Sequence, residues 1–403
     1  MKCYKQHIRK LSKEDFATIK GYCQASNSLY NCCLYICREF YKETNKYIGL
    51  NKLYHEIKTN EHYKKLPAKA ALQIVRLIDK DFRSFFALLN RKLSGKYSGD
   101  VNIPGFKKPR SEFILILPND QVNQRNGKIK ITKNLKIPFS KQIEGVIKQA
   151  IIKPKGGNYY EIHIAYEEET KEQINLKQDS ILSIDLGLDN LCSCYSNIGR
   201  DFIITGKPLK SYNQFYNKTK AEIQSELETK NKKKWSNKLN KLTINRTNWI
   251  DNYINQTVNL IIEYCIENQV SKVVCGYNEG WKQNSNMGKK VNQKFSAIPF
   301  FKLKSKLENK CLDCGIQFIL HEESYTSKCS ALDKEPVKKH ENYLGGRVKR
   351  GLFESSNGAR YNADINGAIN IMRKVFPDEN VFSKGIERCI VHPIVLNPLT
   401  NKA

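Results

Sequence analysis

Apolar residues recur at helical spacing near the start of the chain. Phe16, Ile19, Cys23, Tyr30, Leu34 and Cys37 fall on one face and predict helix over much of 13–45. Ser12 and Asp15 supply a capping box at its start. A second stripe (Ala71, Ile74, Val75, Ile78, Phe82, Phe86, Leu89, Leu93) predicts a helix opening near Pro67 and stopping at Gly95. At about residue 98 the period changes. "GDVNIPGFKKPR" is turn-rich, and short strands are expected at 113–117, at 128–131 after the Asn126-Gly127 turn, and at 159–166. In the last of these Tyr160, Ile162, Ile164 and Tyr166 alternate. The polar run 167–180 fits a linker. Beyond it, strands at 181–186, 191–195, 270–275 and 316–320 interleave with a long helical region, a helix at 298–314 and a final helix at 364–375. That alternation predicts an α/β domain.

At 403 residues the chain is long enough for two or three domains. Charge narrows the function more than length does. Sixty-eight Lys and Arg against 40 Asp and Glu give a formal charge of +28, which implies a polyanionic partner, nucleic acid first. A membrane surface would also attract such a chain, but apolar runs such as "FILIL" (113–117) are too short to span a bilayer. The opening "MKCYKQHIRKLSKEDF" lacks the apolar core of a signal peptide, so a cytoplasmic location is expected. The 13 cysteines are scattered through apolar stretches and read as small buried hydrophobes, not a disulfide framework. From Lys207 to Trp249 there are 11 basic residues and three acidic ones, with Lys232, Lys233 and Lys234 in tandem. Such runs are usually solvated helix faces; in so basic a chain, nucleic-acid contact is the better expectation. Lys107, Lys108 and Arg110 decorate the strand-rich middle third in the same way.

Two stretches carry candidate chemistry. In "ILSIDLGLDN" an apolar strand ends on Asp185, and Gly187 permits a tight turn; taken alone, that Asp is a turn residue. In "NADINGAINIMRKV" Asp364 lies in the first turn of a helix, where an acid complements the helix dipole. Together, an Asp at a strand end and an Asp opening the last helix are how RNase H-like nucleases place Mg²⁺ ligands. Two such ions clamp the attacking water and the leaving oxygen of a phosphodiester.

With these motifs in order, the chain resembles the transposon-encoded TnpB family of RNA-guided DNA endonucleases, relatives of the compact type V CRISPR effectors. The residues that carry the resemblance are "SIDLGLDN", "GYNEGWKQ", "ESYTSKCSALDKEP", "RVKRGLF" and "NADINGAINIMRKV", with weaker support from "NSLYNCCLYICREFY" and "GFKK". The resemblance implies a multidomain α/β and α+β chain. A wedge-like N-terminal β-barrel (1–12 and 97–170) would carry an inserted helical recognition domain (13–96). An RNase H-like, RuvC-type nuclease domain (177–403) would follow, with a helical insertion (207–265). It also implies Mg²⁺ or Mn²⁺, a transposon-derived guide RNA, and a double-stranded target DNA with a short flanking motif. Asp185 and Asp364 match the first and last metal-binding carboxylates.

The middle carboxylate departs from the pattern. Most RuvC-type relatives end the strand at 271–276 with a glutamate, and here Gly276 stands there. Glu279 lies three residues on. Glu322 and Glu323 follow the neighbouring strand of "GIQFILHEESYTSKCS", where the family implies the acid has moved in some members. Glu323 is preferred because spacing to Tyr325 sends the two side chains to opposite faces. Glu279 is the alternative, then Glu322.

The family's four-cysteine zinc ribbon is degenerate over 325–363, which offers only Cys329 and His340, with Leu332 in a Cys place. A tetrahedral zinc needs four ligands, so no zinc is expected. The pair Cys311/Cys314 ends an amphipathic helix and reads as core. Trp281, Lys282, Arg347, Lys349 and Arg350 are expected to contact nucleic acid. The other readings are a nuclease-dead RNA-guided repressor, a compact type V effector, and a general RNA-binding or structural protein. The last explains the charge but not the ordered motifs.

Overall fold

The computed structural model describes residues 1–9, 11–132, 134–140, 142–168, 176–199, 201–278, 297–377, 381–382 and 391–400. The chain divides into two compact units, Met1–Glu169 and Thr170–Ala403. Both mix helix and sheet.

The first unit runs β1 (Lys2–His7), α1 (Lys13–Thr44), α2 (Leu50–Ile57), α3 (Glu61–Lys64), α4 (Ala68–Leu93), β2 (Leu115–Pro118), β3 (Val122–Asn123), β4 (Lys128–Lys130), β5 (Lys136–Pro138), β6 (Val146–Pro154) and β7 (Tyr160–Glu167). Ser12 caps α1 by accepting the Asp15 N–H at 3.0 Å. The periodic residues of α1 and α4 are buried against one another: Ile19, Cys23, Leu34, Ile74, Ile78 and Phe82 are fully covered. Strands order β1-β7-β6-β2 in one antiparallel sheet and β3-β4-β5 in another. Tyr160, Ile162, Ile164 and Tyr166 line the buried face of β7. The sequence pattern misses β1, because "KCYKQH" has no apolar run; the edge strand exists through its ladder to β7.

The second unit runs β8 (Lys177–Leu186), β9 (Asn190–Ser196), β10 (Phe202–Thr205), α5 (Lys207–Asn231), α6 (Asn237–Glu267), β11 (Val270–Tyr277), α7 (Phe300–Asp313), β12 (Gln317–Glu322), β13 (Gly346–Lys349), β14 (Leu352–Glu354), β15 (Arg360–Asn362), α8 (Ala363–Val375) and β16 (Ile394–Leu396). The expected linker is shorter than 167–180, because β7 reaches Glu167 and β8 begins at Lys177. Six strands order β12-β11-β8-β9-β10-β16. β8, β9 and β10 form an antiparallel meander, while β11 runs parallel to β8 and β12 parallel to β11. Helices cover both faces. Tyr253, Ile254 and Ile261 of α6 and Leu303 and Leu307 of α7 pack with Leu182 and Ile184 in one core. Ile365, Ala368 and Ile369 of α8 pack with Ile181, Tyr195 and Val274 in the other. That double coverage explains the continuous apolar run of β8. Among the described residues no helix is long and apolar enough to cross a membrane.

Candidate active site

Three acids gather at one end of the sheet, near the carboxyl ends of β8 and the edge strand β12, where the charges of Glu323 and Asp364 act on Asp185. Asp185 is the penultimate residue of β8 and pairs with Ser193 of β9. Ser183, two residues earlier on the same face, donates its hydroxyl to the Ala368 carbonyl at 2.7 Å and fixes α8 to the strand. The helix lies so close that a Cβ on Gly367 would stand 2.5 Å from Asp185 Oδ2. Any larger residue there would have to displace that carboxylate.

Asp364 opens α8. The Asn362 side chain caps the helix, accepting the N–H groups of Asp364 and Ile365 at 2.9 and 3.1 Å. Both Asp364 oxygens have donors: Asn190 Nδ2 at 2.7 Å on Oδ2 and Arg347 Nη2 at 3.2 Å on Oδ1.

Glu323 follows β12. Its N–H continues the ladder to the Tyr277 carbonyl at 3.2 Å. The side chain turns across the end of β11, where Asn278 Nδ2 donates to Oε1 at 3.0 Å. Its Oε2 is buried and has no hydrogen-bond partner among the described residues. Gly276 makes this path possible. A Cβ there would lie 2.4 Å from Glu323 Oε2 and 2.6 Å from Ile371 Cδ1. The glycine that replaces the expected acid is therefore the space the Glu323 side chain occupies.

Glu322 turns the other way. It is exposed, accepts from Ser324 Oγ at 2.7 Å and pairs with Lys374 at 2.9 Å, and those partners hold its carboxyl below the usual range. Glu279, Trp281 and Lys282 lie outside the described residues.

Crowded, partly desolvated acids resist ionising together. Burial, then the charges of Glu323 and Asp364, push the Asp185 carboxyl well above the ordinary range, against the opposing Arg347 guanidinium. Burial, then Glu322, push Glu323 up to about 7, while Lys304 and Lys374 oppose. Among the described residues no three His, Cys, Asp or Glu side chains are arranged, as they stand, to hold a metal ion. The three acids offer oxygen donors only, the type a hard divalent cation takes, and the Glu323 Oε2 atom is buried without a hydrogen-bond partner. A bound cation would relieve the strain that raises both acids.

Beside the acids lies an open cleft of about 720 Å³, lined by Asp185, Asp364, Lys207, Lys210, Arg347 and Arg350 among others. Asp189 forms ion pairs with both Lys210 and Arg350. Sequence patterns alone did not single out Asp189, Asn190, Asn278, Ser183 or Gly367. The signal for two of them was adjacency: "LDN" directly follows the Gly187 turn.

The remaining basic candidates are dispersed. Lys107 is half-buried, its ammonium 4.6 Å from the Tyr30 ring centroid and 5.2 Å from that of Phe113. It is thus engaged by the first unit's own aromatics, unlike exposed Lys108 and Arg110. Lys232, Lys233 and Lys234 are exposed where α5 ends, and Lys349 is exposed on β13. In the segment 325–363, the Cys329 sulfur lies 3.5 Å from the carbonyls of both Pro336 and Lys338, and His340 Nε2 lies 2.7 Å from the Pro336 carbonyl. Buried Glu335 ties this loop together, accepting the Ser330 N–H at 2.7 Å and the Leu344 N–H at 3.0 Å. Cys311 is fully buried within the α6–α7 core.

Residues 163–282 match the family model OrfB_IS605, described as a probable transposase. Residues 300–371 match the Cas12f1-like TNB domain. A TnpB-like protein, ORF457 of Acidianus two-tailed virus, is 26% identical over 385 residues, covering 83% of this chain and 81% of that one. The Cas12f1 chain in a cryo-EM structure of a Cas12f1–sgRNA–target DNA complex superposes with a TM-score of 0.57 at 16% identity, covering 89% of this chain and 83% of that one. The shared feature is the fold.

Proposed function

We propose that this chain, which belongs to the TnpB family and is related to the type V effectors, is an RNA-guided, Mg²⁺-dependent DNA endonuclease of a mobile element. The second unit then serves as the RuvC-type nuclease domain, a reading supported by its meander of β8–β10 with β11 and β12 parallel to β8. The first unit serves as wedge-like barrel (1–12 and 97–170) and helical recognition domain (13–96). Its partners are a guide RNA and a double-stranded target DNA. Base pairing reads most of the target, while the protein reads a short flanking motif. The charge of +28 suits a chain that holds both.

The observation that carries the reading is the fit between Gly276 and Glu323. A site that had lost its middle acid through drift has no need to keep the space above the strand end filled by another carboxylate. Asp185, Glu323 and Asp364 would hold the metal, which when bound supplies water activation and charge neutralisation at the scissile phosphodiester. The chain's own residues do the orienting. Asn278 fixes one oxygen of Glu323, Asn190 fixes one of Asp364, and the Ser183 hydroxyl keeps the helix bearing Asp364 on the strand bearing Asp185. Lys207, Lys210, Lys349 and Arg350 bind phosphates of the strand entering the cleft.

The test is cleavage of a plasmid matched to the guide by the purified protein–RNA complex in MgCl₂. Asp185→Ala and Glu323→Ala should each lose at least about 100-fold, since altering only the partners of metal ligands costs ~10–100-fold. Glu279→Ala should cut normally. Full target binding with no Mg²⁺-dependent cutting sinks the proposal and leaves a nuclease-dead binding protein.

A further inference from the structure

Among the described residues both Asp364 oxygens are engaged by protein donors, one of them the guanidinium of Arg347, whereas Glu323 Oε2 has none. Arg347 Nη2 stands 3.2 Å from Asp364 Oδ1. A guanidinium and a divalent cation at the same carboxylate oxygen compete, because like charges repel and each draws on the same negative charge. Three residues along, Arg350 makes the same kind of contact with Asp189, which Lys210 also shares. Arg347 lies within the exposed strand β13 and Arg350 just beyond its end, and the ladder of β13 to β14 is interrupted between Arg347 and Lys349. Their side chains are 47% and 83% exposed, and both line the open cleft.

We propose that Arg347 is an exchangeable counter-ion. In the free protein it occupies Asp364 and weakens divalent-metal binding. A phosphate of the nucleic-acid strand, entering between Arg347 and Arg350, draws it off and opens Asp364 to the metal. Phosphodiester and cation thus bind cooperatively, each improving the other's affinity by the same factor. Breaking the pair costs the entering strand little, because a half-exposed ion pair is screened by solvent. Arg suits the exchange, since its planar fork matches carboxylate and phosphate alike. This inference rests on the metal site proposed above.

The test measures Mn²⁺ affinity of the full-length protein by electron paramagnetic resonance of the free ion, with no cleavage involved. Without nucleic acid, Arg347→Gln should bind Mn²⁺ about two- to five-fold more tightly than the wild type, the range expected for losing one half-exposed pair. Arg347→Lys should stay near the wild type. A saturating oligo-dT strand, corrected for Mn²⁺ bound by the strand alone, should tighten Mn²⁺ binding in the wild type but not in Arg347→Gln. If Arg347→Gln binds Mn²⁺ no better than the wild type, the counter-ion idea falls. Asp185→Asn separates the two readings. If it abolishes Mn²⁺ binding while Arg347→Gln has no effect, the metal site stands and the exchange does not. If it leaves Mn²⁺ binding intact, both fall.

Discussion

Gly276 and Gly367 each stand where an added methyl group would strike a carboxylate oxygen, at 2.4 and 2.5 Å. Neither glycine has a left-handed backbone, so space and not chain geometry requires them. Gly276→Ala should force Glu323 or Ile371 to move, costing about 1–3 kcal/mol as overpacking and at least tenfold in cleavage. Gly367→Ala should do the same to Asp185. Cleavage assays alongside thermal melts check both, and wild-type cutting by either variant refutes the packing argument. Asp201 supplies a pH prediction well away from this site. It is 3% exposed, accepts the Ser196 N–H at 3.1 Å, and burial pushes its carboxyl up to about 7. The unfolded chain ionises this acid near its ordinary value, so between about pH 4 and 7 the folded state holds the extra proton. Stability therefore falls as pH rises through that window. Melting curves should show the wild type losing several degrees from pH 5 to 8, and Asp201→Asn losing less.

Elements with long stripes were legible from periodicity. The helices over 13–45 and from Pro67 appear as α1 and α4, and the strands at 181–186 and 270–275 appear within β8 and β11. The pattern missed several strands. β1 is polar, β10 has four residues and β16 three, too few for a period to register. The nine-residue β6 was missed as well, because its register shifts at an irregularity between Ile147 and Gln149. The site was legible as motifs but not as contacts. Gly276 reads in sequence as a gap, and only the ladder pairing it with His321, beside Tyr277 with Glu322, shows how the next strand delivers an acid to its end. The loop leaving β12 depends on α8 in turn. Asn370 Nδ2 donates to the carbonyls of Thr326 and Cys329 at 2.9 and 2.7 Å. Asn366 accepts the Ala331 N–H at 2.9 Å and the Tyr361 hydroxyl at 2.6 Å. Asn366→Ala should orphan several buried groups and cost about 1–3 kcal/mol. Thermal melts measure that cost, and cleavage should fall with it as the Glu323 loop loosens.

At the scale of the whole molecule, charge and fold point the same way. A formal +28 spread over both units predicts target affinity that drops steeply with salt, roughly 10³–10⁵-fold between 50 and 200 mM for six to ten phosphate contacts. A shallow salt slope in filter binding would contradict a backbone-tracking mode. The basic run at 207–249 appears as the helix pair α5–α6, with Tyr212 stacked on Trp249 at 4.3 Å and Trp249 in turn on Tyr253 at 5.5 Å. That stacking stiffens the pair from within while leaving Lys232, Lys233 and Lys234 exposed at its tip.

The interlock of Gly276 with Glu323 also constrains the order in which such a chain can change. Placing glutamate at 276 first would drive two carboxylates and the Ile371 methyl into one volume. Removing Glu323 first would leave the strand end with neither acid. Returning the carboxylate to its neighbouring strand therefore passes through an unfit intermediate whichever substitution comes first, so the arrangement is entrenched, and the two positions are expected to change together or not at all.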